Sequence, residues 1–149
     1  MSNINYDNLK RVIKKSMISE QEEDDNNKGG SFKKMVEKIL HSRTQTHIFH
    51  LQTKSYAEHI ALDGFYNGIV PLFDGLVESY QGKHDIITNY ECDGFEDYSS
   101  GEQVIKYLQT LSNDIEKLRG SIKESYIQNQ IDTVDELIFS TVYKLRFLK

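Results

Sequence analysis

The chain has 149 residues, a formal net charge of −5 and a pI near 5.5. That length suits one domain with a sizeable core, and the acidic balance argues against a generic nucleic-acid binder. The single cysteine, Cys92, excludes an internal disulfide framework and reads as a free thiol, and neither a signal-peptide h-region nor an apolar run of membrane-spanning length stands out, so a cytoplasmic protein with no membrane partner is expected.

Residues 1–30 read as a flexible N-terminal arm, basic and then acidic. Leu9, Val12 and Ile13 suggest one or two amphipathic turns, flanked by Lys10, Arg11, Lys14 and Lys15. The run from Glu20 to Gly30 is polar, strongly acidic and closed by two glycines, the composition of a linker. Two readings of the basic cluster stay open: a DNA-contacting arm and a plain solvated one.

Residues 31–149 read as an all-α domain, since Pro71 is the only proline and dense turn clusters are few. Ser31 is placed as the cap of a first helix running to about residue 53, with Phe32, Met35, Val36, Ile39 and Leu40 at helical spacing. Ser55-Tyr56-Ala57-Glu58 is a capping box opening a second helix that ends near Gln81-Gly82. Gly64, Gly68, Pro71 and Gly75 make that helix poor by propensity, so packing must hold it, and Pro71 should kink it or remove one backbone hydrogen bond. Residues 83–99 read as an acidic loop. Ser100-Gly101-Glu102-Gln103 caps a third helix with the seam Val104, Leu108, Leu111, Ile115, Leu118 and Ile122. Thr133-Val134-Asp135-Glu136 is placed as the cap of a fourth, with Leu137, Ile138, Thr141, Leu145 and Leu148 on its apolar face. Four long helices with one long connection between the second and third give a ferritin-like four-helix bundle with a long B–C crossover.

The chemistry concentrates in His47, His59, Asp63, Asp74 and Glu78, at gaps of 12, 4, 11 and 4. Imidazole and carboxylate are the ligand types that non-haem iron takes. At roughly 100° per residue, the four on the second helix share one stripe, yet Asp63 and Asp74 lie about 16 Å apart along its axis. One metal or a close metal pair cannot span that. Two half-sites follow: His59 and Asp63 with His47 from the preceding helix, and Asp74 with Glu78. A two-fold dimer with these helices antiparallel would join unlike halves twice. The Glu-x-x-His pairs of an intrachain di-iron bundle centre are absent, and no histidine lies beyond His84. His50 is a candidate auxiliary ligand or an ordinary polar residue, and His41 an ordinary polar residue; Glu91, Asp93, Glu96 and Asp97 read as a solvated acidic loop.

The segment His47 to Gly82 resembles the Dps family of small ferritin-like proteins. Its ferroxidase motif has these five ligand types at this spacing, carried here by His59-Ile60-Ala61-Leu62-Asp63-Gly64-Phe65 and Asp74-Gly75-Leu76-Val77-Glu78. The likeness extends more weakly to Asp132-Thr133-Val134-Asp135-Glu136-Leu137. It implies an iron site, mono- or di-iron, at a dimer interface, with His47, His59 and Asp63 from one subunit and Asp74 and Glu78 from the other. It further implies a ferroxidase that oxidises Fe(II) with peroxide or dioxygen, protects against oxidative damage and often stores mineral in a dodecameric shell, and it implies DNA contact by Lys10, Arg11, Lys14 and Lys15. Small ferritin-like proteins of large phage genomes are also similar, which adds a virion-associated setting. The family often has Trp after its first histidine; here Ile48 stands there, leaving Tyr56, Tyr66 and Tyr80 as available aromatics. The competing expectation is a non-catalytic structural or interaction protein on the same scaffold.

Overall fold

The computed structural model describes residues 6–148. Met1–Asn5 and Lys149 lie outside the described residues, as do the side chains of Tyr6, Leu9 and residues 21–28, which include most of the acidic run. Four helices make up the described chain: α1 (Tyr6–Gln52), α2 (Tyr56–Lys83), α3 (Gly101–Arg119) and α4 (Ser125–Phe147). The chain is therefore all-α.

Helix boundaries follow local chemistry where capping groups are present. Ser55 accepts from the Glu58 N–H at 3.4 Å, and Ser100 from the Gln103 N–H at 3.2 Å, so both expected caps form. Two other expectations fail. Ser31 is interior to α1, because the helix continues through the stretch expected to be a linker and the arm is an extension of the first helix. Thr133 is interior to α4, which begins eight residues earlier; its hydroxyl bonds back to the Asn129 carbonyl at 3.0 Å and so caps nothing.

The helices pack in a ring: α1 against α2 and α3, and α4 against α2 and α3. Their shared interior is apolar, led by Phe32, Phe49, Phe65, Met35, Leu62, Leu108, Ile115 and Ile131. α2 keeps its shape through this packing. Gly68 lets Leu137 approach so closely that an added Cβ would lie 3.4 Å from its methyl groups, and Gln130 of α4 donates to the Gly75 carbonyl at 3.2 Å. The helix runs unbroken through Pro71, which is exposed. In length and composition α2 is the one helix among the described residues that would suffice to cross a membrane, which narrows the compositional expectation. Here it is a core helix with seven buried residues.

Residues 84–100 form the long connection, without helix. Going from Glu91 to Tyr98 the segment meets Glu37, His41, Gln45 and finally Gln52 of α1. Seven extended steps reach about 23–25 Å, and fifteen helical steps from Glu37 to Gln52 rise about 22 Å. The crossover is thus nearly fully extended along α1. It returns the chain to the end where α2 began, so α2 and α3 run parallel while α1–α2 and α3–α4 are antiparallel.

Glutamine side chains replace the backbone partners this extended segment lacks. Buried Gln45 forms a pair with Glu96, donating to its carbonyl and accepting from its N–H, both at 2.8 Å. Gln52 accepts from the Tyr98 N–H at 2.6 Å, Gln103 from the Ser99 N–H at 2.7 Å and Gln81 from the Ile87 N–H at 2.9 Å.

Candidate functional site

The three-residue turn between α1 and α2 brings the ends of the two helices together and stacks two histidines across it. The rings of His50 and His59 lie 3.6 Å apart at 22°. His50 Nδ1 donates to the His59 carbonyl at 2.9 Å, and His59 Nδ1 donates to the His50 carbonyl at 3.0 Å. A carbonyl can only accept, so each neutral ring carries its proton on Nδ1 and leaves Nε2 with a free lone pair. That is the arrangement by which outer partners orient metal-binding imidazoles. His50, expected only as an auxiliary ligand or an ordinary polar residue, is half of this pair. Its signal was present, three residues after His47 and nine before His59, but only the turn makes those nine residues a ring contact.

His47 is held differently. Its ring stacks on Tyr66 at 4.2 Å and lies 5.7 Å from His50. Tyr66 in turn donates its hydroxyl to Asp63 Oδ1 at 2.7 Å, and Asn67 donates to the same oxygen at 3.2 Å. Donation to the Asp63 carboxylate holds the Tyr66 hydroxyl above its ordinary pKa. Tyr66 therefore links His47 to Asp63. Of the other two tyrosines considered, Tyr56 is exposed and Tyr80 stacks on Phe32 at the opposite end.

Asp74 and Glu78 are exposed on α2. Because α2 is continuous from Tyr56 to Lys83, the axial gap of about 16 Å from Asp63 to Asp74 stands. The five residues thus fall into a histidine-rich end and an acidic end on one helix. Among the described residues, no three His, Cys, Asp or Glu side chains converge in a group that could hold a metal ion. His47, His59 and Asp63 accordingly do not converge as a three-ligand group within one chain, and Asp63 Oδ1 is bonded by Tyr66 and Asn67. Between the two ends runs an open stripe of α2: Ile60, Gly64, Asn67, Val70 and Pro71 are exposed, and an added Cβ at Gly64 would touch nothing within 4 Å.

The remaining candidates are committed elsewhere. His41 donates from Nε2 to the Gly94 carbonyl at 3.1 Å and accepts from the Tyr107 hydroxyl at 2.9 Å, so it anchors the crossover. Burial pushes the Tyr107 hydroxyl well above the usual phenol range. Cys92 is an exposed free thiol bordering a cavity of about 460 Å³ between α1, α3 and the crossover.

A family model described as a family of unknown function (DUF5856) matches residues 50–145. No curated protein and no solved structure matches the chain.

Proposed function

From the premise that the chain belongs to DUF5856, a family of unknown function, we propose that it is a ferritin-like ferroxidase that oxidises Fe(II) at a site shared by two subunits. The observation that carries this reading is the His50–His59 pair, two imidazoles with Nε2 free, set beside Asp63 at one end of a stripe whose other end is Asp74 and Glu78. Imidazole and carboxylate bind Fe(II) and favour Fe(III) further. Connectivity supports the same reading, because one long crossover between parallel second and third helices is the ferritin-like arrangement.

Iron is the substrate here, with peroxide or dioxygen as the oxidant. His59, Asp63 and His47 of one subunit would meet Asp74 and Glu78 of a second copy across an isologous interface. Pairing His59 with the partner's Glu78, and Asp63 with the partner's Asp74, sets the two-fold axis between Asn67 and Val70. That is the middle of the open stripe, where Ile60, Gly64, Val70 and Pro71 offer apolar surface for burial. Twelve such subunits in a shell would give the protein an iron-sequestering role.

Aerobic Fe(II) oxidation by wild type and His59→Ala tests the chemistry, and equal rates would remove it. Mixing His59→Ala with Glu78→Ala tests the sharing. Half of randomly assorted dimers are mixed and each mixed dimer regains one of two sites, so about a quarter of wild-type activity should return. A site within one chain would regain none. The second reading, a non-catalytic structural or interaction protein, is favoured by the engagement of Asp63 with Tyr66 and Asn67.

A further inference from the structure

The first part of α1 lies outside the four-helix body. Every described side chain from Asp7 to Glu20 is exposed, whereas Gly29, the next residue whose burial is described, is half-buried with Tyr80 beside it. At about 1.5 Å per residue, the exposed stretch from Asp7 to Glu20 is about 20 Å long. It is also sharply two-faced. At about 100° per residue, Val12, Ile13 and Met17 fall in one sector of roughly 140°, and Lys10, Lys14, Arg11 and Lys15 fill the opposite sector of similar width. Ile18 and Asp7 lie among the cations, and Ser16 and Glu20, hydrogen-bonded to each other, lie within the apolar sector. Val12, Ile13 and Met17 are 63%, 50% and 61% exposed, so none of the described residues covers them.

Charge is divided as unevenly as apolarity. Residues 1–18 hold four cations against Asp7, a net of +3, so the other residues carry −8 of the total −5. A partner must therefore offer anionic groups and an apolar layer side by side. Nucleic-acid phosphates satisfy the cations but leave Val12, Ile13 and Met17 in water. An anionic bilayer surface satisfies both, with the apolar side chains below the headgroups and the cations among them. The acidic run that follows would be repelled by the same surface and would hold the body off it. A helix lying in the interface needs no membrane span.

We propose that residues 7–18 form an in-plane anchor that docks the protein on anionic lipid surfaces. The test is flotation of the full-length protein with phosphatidylcholine vesicles, with and without about one-third phosphatidylglycerol. Wild type should float with the anionic vesicles only. Each cation removed from Lys10, Arg11, Lys14 and Lys15 by substitution with Gln should weaken partition roughly fivefold, the factor equivalent to the ~1 kcal/mol each basic residue contributes at such a surface. V12S/I13S/M17S keeps every charge and should abolish flotation while leaving the melting temperature unchanged, because these side chains touch no core. Failure of wild type to float at about 0.05 M salt overturns the proposal. So does undiminished flotation of V12S/I13S/M17S, which would mean charge attraction alone. Shifting of a DNA duplex by wild type and the apolar variant alike, without flotation, would assign the arm to nucleic acid instead.

Discussion

His50 and His59 each donate a ring proton to the other's backbone carbonyl, at 2.9 and 3.0 Å, while their rings stack at 3.6 Å. Two side chains on different helices thus lock the α1–α2 turn and fix both tautomers at once. Each hydrogen bond should be worth about 1 kcal/mol, with the ring contact adding to it. His50→Ala and His59→Ala should each lose about 1–2 kcal/mol in urea unfolding. The double mutant should lose less than the sum, by about 0.5–1.5 kcal/mol. Strict additivity would show that the pair does not form in solution.

Gln45 is the buried amide among the side chains that hold the crossover. Gln45→Ala removes two hydrogen bonds and leaves the Glu96 N–H and C=O without their partner, which should cost about 2–3 kcal/mol. Hydrogen exchange should accelerate locally at Glu96 and Tyr98, with α2 and α4 unaffected. Gln45→Glu keeps the acceptor but sets a buried carboxylate oxygen against the Glu96 carbonyl, so at pH 7 it should cost at least as much as Ala.

Two glycines in helices should respond with opposite signs. Gly30 lies within α1 with open space around it, so Gly30→Ala should stabilise by about 0.5–1 kcal/mol. At Gly101 a Cβ would collide with Glu58 Oε1. The Glu58 carboxylate is already fixed by Thr53 at 2.6 Å and Tyr98 at 2.7 Å, so it cannot swing aside freely. Gly101→Ala should therefore destabilise, by about 1–2 kcal/mol, despite its better helix propensity. A gain at Gly101 would show that Glu58 is loosely held.

Opposite pH responses are expected from two aspartates. Lys38 donates to Asp114 at 2.6 Å and, against the effect of burial, holds its carboxyl below the usual range. That contribution is complete above the ordinary carboxylate value near 3.9 and is lost as pH falls through the lower folded value. Half-exposed Lys38 limits it to about 0.5–1 kcal/mol, so Asp114→Asn should lower the melting temperature at pH 7 and match wild type at the acid extreme.

Burial pushes the Asp135 carboxyl up, and the negative charges of Glu116 and Asp132 add to the effect. Here the folded state binds the proton more tightly, so the stabilising contribution is present in acid and disappears as pH rises through the folded value. Asp135→Asn should raise the melting temperature at pH 7, with the difference shrinking in acid. A melting temperature lowered at pH 7 would reverse this assignment.

The all-α class, two helix starts, the acidic connection and the stripe on α2 are legible in the amino-acid sequence. All of these are local or periodic properties, readable from caps at Ser55 and Ser100 and from spacing at 3.6 residues per turn. It misplaced the start of α4 because Thr133 and Glu136 mimic a capping box where a hydroxyl simply bonds back within a helix. It broke α1 at Gly29-Gly30 because propensity is a weak prior. The pairing of His59 with His50, the contact of Tyr66 with both His47 and Asp63, and the glutamine bonds to the crossover arise from the packing of the helices. Those relationships depend on where the turn and the extended segment set residues far apart in sequence, and no periodicity encodes that distance.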